Sequence, residues 1–267
     1  MQQPEAPFDA VAKDYDAAFT GTALGRRMRE RVWDLLQESP SQNRLPSTVL
    51  ELNCGTGEDA LWLARQGAQV LATDAAPAMI GRTREKARMA RLENRIKTRV
   101  CSFAGIGGIE ERFDLVFSNF GGFNCISPEE VKDLGRVLPE KLNPGGCFVA
   151  VVMSRFCWWE TLYFLLKMKP RDAFRRFNRE PVAARLNENT TVPTWYYSPA
   201  EFRRLLAPAG FSVRVCPAGF WLPPSYFHPV FEKHPRWLRL LNFLEQNCTP
   251  AWLAPFADHF FIQLKKT

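Results

Sequence analysis

The sequence predicts an α/β fold, a mostly parallel sheet with helices on both faces. Three observations predict it. Short aliphatic runs alternate with helical apolar spacing from Thr48 to Met153. The run Val49-Leu50-Glu51-Leu52 enters the turn Asn53-Cys54-Gly55-Thr56-Gly57 and opens directly into a helical pattern. Asn143-Pro144-Gly145-Gly146 is a strong turn signal ahead of a fifth strand.

Leu24, Met28, Val32, Leu35 and Leu36 fall at helical spacing and predict a helix from Leu24 to Gln37. Ser39 to Ser47 is polar and proline-flanked and reads as a loop. Thr48–Leu52 is a strand, Glu58–Gln66 a helix and Gln69–Thr73 a strand. Pro77 stands near the start of a helix reaching about Leu92, where its missing N–H does little harm. Ile96–Cys101, Phe113–Phe117 and Cys147–Met153 are the third, fourth and fifth strands, with a glycine-rich connection at Gly105-Ile106-Gly107-Gly108. Pro128–Leu142 reads as a helix interrupted or bent near Pro139. Ser198-Pro199-Ala200-Glu201 marks a helix start, Ser as cap and Glu three residues on. Gly210–Cys216 is a sixth strand, and His259–Lys265 closes the chain as a seventh. Two stretches, 155–194 and 217–255, break the alternation; the second carries an amphipathic helix around Trp237–Glu245.

At 267 residues the chain fits one large α/β domain, or one of ordinary size with insertions. A formal charge of +7 is modest and reads as a solvated basic face, with an anionic substrate or an acidic surface as alternatives. The seven cysteines are scattered, none forms a CxxC pair, and no His lies at metal-ligand spacing from them. Reduced thiols in a cytoplasmic protein without a metal are the economical reading. Met1 to Asp16 lacks the basic and apolar regions of a signal peptide, and no run of about 18 apolar residues predicts a membrane span.

Gly55 and Gly57 carry no Cβ, so their turn allows backbone N–H groups to approach a nucleotide-like cofactor. The glycines alone do not choose the cofactor, because Gly55-x-Gly57-x-x-Ala60 also satisfies the loose dinucleotide pattern. Three motifs in order narrow the choice. They are Glu51-Leu52-Asn53-Cys54-Gly55-Thr56-Gly57, Phe113-Asp114-Leu115-Val116, and Leu142-Asn143-Pro144-Gly145-Gly146. Together they resemble the class I S-adenosylmethionine-dependent methyltransferases of small-molecule type, from about Phe8 to the C-terminus. Asn53 stands where the family has its first glycine, a departure that asparagine's tolerance of left-handed backbone would permit.

The resemblance implies a Rossmann-like seven-stranded sheet with an antiparallel last strand and inserted lid segments. It implies S-adenosyl-L-methionine as donor and S-adenosyl-L-homocysteine as product. The methionine part is expected against Gly55 and Gly57, with Glu51 near its amino group. Asp74 is expected on the ribose, and Ala75 and Met79 beside the adenine. Ser102 and Phe103 stand where the family often places an acid near the purine, and Asn53 and Asn119 complete the cofactor set. Phe8-Asp9-x-Val11-Ala12-x-Asp14-Tyr15-Asp16 resembles the segment that folds over the donor, which puts Tyr15 at the donor carboxylate or the sulfonium edge.

The acceptor side follows the fourth strand, at the carboxyl end of the sheet. Ser118-Asn119-Phe120-Gly121-Gly122-Phe123-Asn124-Cys125 contains neither the Asn-Pro-Pro-aromatic grip of base-flipping enzymes nor a Pro-Cys nucleophile, which argues against nucleic acid. Asn119, Tyr15 and His228 are the catalytic candidates, with His259 a second imidazole. Phe120 and Asn124 are expected to line the acceptor site, with Gly121-Gly122 leaving room. Trp158, Trp159, Tyr163, Trp195, Tyr196 and Tyr197 would form an aromatic lid lining. The basic stretch Lys167–Arg185 reads as a solvated helix, with an anionic ligand or a peripheral membrane contact as alternatives.

The domain expectation is a cap at 1–47, a donor-binding core at 48–154, a lid at 155–197, and completion of the core at 198–267 with a second insertion near 217–255. Function reads as methyl transfer to O, N or C of a small, largely apolar or aromatic metabolite, by a monomer or homodimer. The alternatives are a lipid or quinone methyltransferase at a membrane surface, and a non-catalytic donor-binding partner protein.

Overall fold

Strand β1 (Thr48–Glu51) is an interior strand of the sheet, third of seven from one edge. The computed structural model describes residues 6–38, 46–206 and 210–266, so residues 39–45 of the expected loop lie outside the described residues. Helix α1 (Ala23–Gln37) precedes β1, and α2 (Glu58–Arg65), β2 (Gln69–Asp74), α3 (Pro77–Met89), β3 (Ile96–Val100) and β4 (Phe113–Ser118) follow. Then come α4 (Pro128–Val137), β5 (Leu142–Met153), α5 (Trp158–Leu166), α6 (Pro170–Ala173) and the hairpin β6 (Val182–Arg185) and β7 (Thr191–Thr194). The chain ends with α7 (Pro199–Leu206), β8 (Phe211–Ala218), α8 (His228–Glu232), α9 (Pro235–Asn247) and β9 (His259–Lys266).

Seven strands form one sheet in the order β3-β2-β1-β4-β5-β9-β8. The first five are parallel, and β9 runs antiparallel to both β5 and β8. Each central strand feeds two cores, because successive side chains point to opposite faces. Val49, Leu115, Phe117, Val149 and Val151 pack with Val32 and Leu35 of α1 and with α2. Leu50, Val116, Phe148, Ala150 and Val152 pack with Val131 and Leu134 of α4 and Phe202 of α7. Near-continuous apolar runs in β4 and β5 are therefore the mark of strands covered on both faces.

Several boundaries differ from the sequence reading for local reasons. Asp74 is the last residue of β2, not the residue after it. The Asn143–Gly146 turn lies within β5, where Gly145 takes φ +73° and the β4 pairing slips register between Phe113 and Leu115. A bulge there lets the strand start at Leu142. Helix α4 stops at Val137 and tightens into a 3₁₀ turn, Leu138–Lys141, because Pro139 has no N–H to continue it. The stretch 155–194 is not irregular: it holds two helices and the β6–β7 hairpin.

Candidate active site

A cavity of about 350 Å³ opens at the carboxyl ends of β1, β2 and β4. Its walls include the β1–α2 turn, Asp74 to Met79, the loop after β3, the loop after β4, the N-terminal segment and Val192-Pro193 of β7. Of the residues expected from sequence, Tyr15, Asn53, Gly55, Asp74, Ala75, Met79, Ser102, Phe103, Asn119 and Phe120 all line it.

The turn's two glycines do different work. Gly55 has φ +53° and no neighbour within 4 Å of an added Cβ, so its backbone faces open space. Its N–H donates to Asp74 Oδ2 at 2.9 Å, and Ala76 N–H donates to Oδ1 at 2.9 Å. Gly57 does not line the cavity. Its N–H is already bonded to Cys54 O, and a Cβ at its φ of +87° would strike Thr83 Cγ2 at 2.7 Å. Gly57 therefore lets α3 dock on the turn, while Gly55 leaves the cradle open. Asp74, pinned by two backbone donors, keeps further oxygen lone pairs for a ligand; burial pushes its pKa above the usual aspartate range, against those bonds.

Asn53 departs from the expected reason for being tolerated. It is not among the residues with positive φ. Instead its Oδ1 accepts from Ser118 Oγ at 2.5 Å and its Nδ2 donates to Asn119 O at 2.7 Å, tying β1's turn to the end of β4. Gly122 makes the space: a Cβ there would lie 2.3 Å from Asn53 Cγ. Gly122 thus leaves room for Asn53, Gly121 takes a φ of +79°, and both line the cavity. Glu51 also sits outside the cavity, fully buried, with Oε2 lacking a partner among the described residues. Burial first, and then Asp59, push its pKa well above the usual glutamate range, with Arg29 opposing.

The main element missing from the sequence reading is Arg29 of α1. It is the one cation among the residues lining the cavity. Its Nη1 donates to Asp59 Oδ2, which also accepts from Asn119 Nδ2 at 3.0 Å, while Trp33 Nε1 reaches Asp59 Oδ1 at 2.7 Å. Its guanidinium lies 5.1 Å from the centroid of the Phe120 ring, and its Nε is buried without a partner among the described residues. Burial disfavours the charged guanidinium, but Asp59 outweighs that and raises its pKa further. The available signal was positional: Arg29 follows Gly25 by four and precedes Val32 by three on the buried face of α1. Asn119 is in the wall, but its amide is committed to Asp59 and to the N–H of Phe120, whose φ is +45°.

The N-terminal segment is bound to this wall. Asp9 Oδ1 accepts from Ala78 N–H at 2.7 Å, and Asp16 accepts from Thr56 Oγ1 at 2.5 Å and pairs with Lys86 at 2.6 Å. Tyr15, Pro7 and Phe8 line the cavity, and burial raises the Tyr15 pKa, so its hydroxyl stays protonated.

The aromatic lining is not where it was expected. Trp158 and Trp159 point to the second insertion, both donating to Phe220 O, at 2.6 and 3.1 Å. Trp195 packs against the core. Tyr196 covers the Arg176 guanidinium at 4.9 Å, and Tyr197 is fully buried with its hydroxyl on Ile126 O at 2.9 Å. Asn124, 0% exposed, spends its amide on Met153 and Trp195 backbone groups. None of these lines the cavity. The Trp158 and Trp159 bonds join the two insertions, while Asn124 ties the β4 loop to Met153 of β5 and to Trp195. His228 lies outside the cavity, 3.9 Å from Glu232, and His259 stands behind Phe120 at a 5.6 Å ring distance. Arg176 in the basic stretch is structural: buried, it pairs with Glu160 at 2.8 Å and with Asp258 at 2.7 Å. Burial alone would raise Asp258, yet His259 and Arg176 hold it well below the usual range.

Residues 49–146 match a family described as a methyltransferase domain. No curated protein sequence matches the chain. Among solved structures, a DhpI–SAM–HEP complex is 17% identical, with TM-score 0.60 over 97% of this chain and 94% of that one. An S-adenosylmethionine-dependent methyltransferase from Mesorhizobium loti is 15% identical, with TM-score 0.54 over 88% and 98%. A geranyl diphosphate C-methyltransferase from Streptomyces coelicolor A3(2), complexed with S-adenosyl-L-homocysteine, is 12% identical, with TM-score 0.53 over 88% and 76%. At these identities the likeness is one of fold.

Proposed function

We propose that this chain, an S-adenosylmethionine-dependent methyltransferase by its domain family and class I fold, methylates a small, uncharged, largely apolar or aromatic molecule. The observation that carries the acceptor class is the charge of the cavity wall. Its one cation, Arg29, is paired with Asp59 and, in this reading, also takes the donor's carboxylate, which leaves none for the acceptor. Phe103, Phe120, Ile126, Val192 and Pro193 make much of the remainder apolar, and Asp74 and Glu130 are acids. An anionic acceptor would have no free positive partner there.

The residues present fit the donor. Asp74 offers oxygen lone pairs to ribose hydroxyls, and Ala75, Met79, Ser102 and Phe103 offer a slot for the base. Arg29, the cation in the wall, is the receiver for the carboxylate, with the Tyr15 hydroxyl as a neutral second donor. Gly55 keeps the backbone approach open. When bound, the donor supplies an electrophilic methyl on a sulfonium. The protein's part is to hold the acceptor in line and to exclude water. The N-terminal segment does the excluding, fastened by Asp9 and Asp16. No histidine lines the cavity and burial keeps Tyr15 protonated, so positioning rather than a dedicated base dominates this reading.

The test is transfer from labelled donor to paired acceptors, neutral aromatic or aliphatic compounds against their carboxylate or phosphate counterparts. Neutral members should be preferred; a preference for the anionic members would sink the acceptor class. Titration of S-adenosylhomocysteine into wild type and Asp74→Ala tests the donor site, with about 10–100-fold weaker binding expected from lost charge-assisted bonds. Unchanged affinity would refute the assignment of Asp74.

A further inference from the structure

The exposed end of the α5–α6 pair carries a set of side chains that the transfer reaction does not use. Leu162, Leu165 and Leu166 lie on one side of α5 at spacings of three and four and are exposed, Leu166 at 76%. Met168 follows at 87% exposure. Phe174 and Phe177 are also exposed and are in mutual ring contact, 6.0 Å apart. The row continues through Phe156 to the exposed Phe256, with centroid distances of 6.0 and 5.8 Å. Such a concentration of exposed apolar side chains is unusual for a protein surface facing only water.

Met168 is the most telling member. It holds φ +56°, and the N–H groups of Met168 and Lys169 bond back to Leu165 O and Phe164 O at 2.9 Å, closing the C-terminus of α5. This is the position where glycine is favoured, because a side chain there is strained. A large apolar side chain takes the strain and projects outward, 87% exposed.

The charge around the tip identifies the partner. Lys167, Lys169 and Arg171 are exposed, and Asp172 is the one carboxylate in the sequence between Leu162 and Phe177. Arg175 and Arg176 both pair with Glu160. Among the described residues Lys167, Lys169 and Arg171 have no carboxylate partner, Lys167 lying 5.2 Å from the Tyr163 ring centroid, and they ring apolar side chains that protrude. A second copy of the same surface would bring like charges together, whereas a soft anionic surface accepts both the protruding apolar groups and the cations.

We propose that the α5–α6 tip is a peripheral docking surface for an anionic lipid bilayer. It binds by burying Leu165, Leu166 and Met168 at the acyl boundary while Lys167, Lys169 and Arg171 meet the headgroups. The same insertion supplies Val192 and Pro193 to the cavity wall, so the docked element and the active site are parts of one segment.

Flotation of the full chain with phosphatidylcholine vesicles and with mixed phosphatidylcholine–phosphatidylglycerol vesicles tests this. Three cations at about fivefold each give roughly hundredfold stronger partitioning to the anionic vesicles, lost at high salt. Lys167→Ala combined with Lys169→Ala removes about 25-fold of that preference. Met168→Gly weakens partitioning several-fold while the thermal midpoint stays level or rises, a pairing that misfolding cannot produce. S-adenosylhomocysteine affinity is unchanged in all these variants, which separates this proposal from the donor site. Equal partitioning to both vesicle types, Met168→Gly binding that matches wild type, or dimerisation in place of vesicle binding would each overturn it.

Discussion

Replacing Asn53 by glycine restores the residue that the family turn has at this position, and the structure predicts that this restoration is harmful. Asn53 does not use the left-handed backbone that would make glycine an improvement. Its side chain is a bracket between β1 and β4, accepting from Ser118 Oγ and donating to Asn119 O. Two such bonds contribute about 1 kcal/mol each, and Ser118, which is fully buried, loses its partner. Glycine's extra unfolded-state entropy adds about 0.5–1 kcal/mol. The total is about 2–4 kcal/mol, or roughly a 5–10 °C lower midpoint for a chain of this size. Urea titration followed by tryptophan fluorescence measures it. Adding Ser118→Ala to Asn53→Gly should recover about 1 kcal/mol, because the orphaned hydroxyl is gone. A neutral or stabilised Asn53→Gly variant would refute the bracket and revive the left-handed explanation.

Two more predictions concern charge. Arg29→Met should weaken S-adenosylhomocysteine by about 10–100-fold, the worth of a charge-assisted bond, yet leave 5′-methylthioadenosine, which has no carboxylate, nearly unaffected; equal losses in calorimetry would show that Arg29 only supports the fold. Glu51 has its folded pKa raised by burial, so it binds its proton more tightly in the native state than in the unfolded chain. Stability should therefore rise as pH falls from that raised value to the ordinary carboxylate range, and Glu51→Gln should flatten this slope. Denaturant midpoints across that window measure it, and parallel slopes for both proteins would contradict the assignment.

The sheet was legible because its signals are local and periodic. Both-face burial makes β4 and β5 continuous apolar runs, and Ser198 and Pro77 mark helix starts by capping and by a missing donor. The cavity wall was legible where it follows directly on a strand end, at Gly55, Asp74 and Met79. It was illegible where it depends on side chains meeting across the fold. Arg29 and Asp59 are 30 residues apart, and Asn53 meets Ser118 across 65. The β6–β7 hairpin was missed because its strands are four residues long and one contains Pro193. The aromatic insertions misled for the reverse reason. Composition marked them as special, but Trp158, Trp159 and Tyr197 spend their polar atoms on backbone carbonyls, Trp195 packs on the core and Tyr196 covers Arg176.

Asp59 shows how these separate fasteners become one device. It begins on α2, directly after the glycine turn, and its carboxylate accepts from α1 through Arg29 and Trp33 and from the β4 loop through Asn119. Three walls of the cavity are thus referenced to one buried group. The same pairing leaves the wall without surplus positive charge, since Arg29 is answered by Asp59, and Lys86 just outside by Glu58 and Asp16. Asp74 and Glu130 remain, so the cavity suits a ligand of net positive charge, as a sulfonium with an amino-acid tail is. A second ligand entering beside it meets apolar side chains and acids. Rigidity and the proposed acceptor class therefore share one origin: Arg29, the cation of the cavity wall, is answered by the buried carboxylate that ties the walls together.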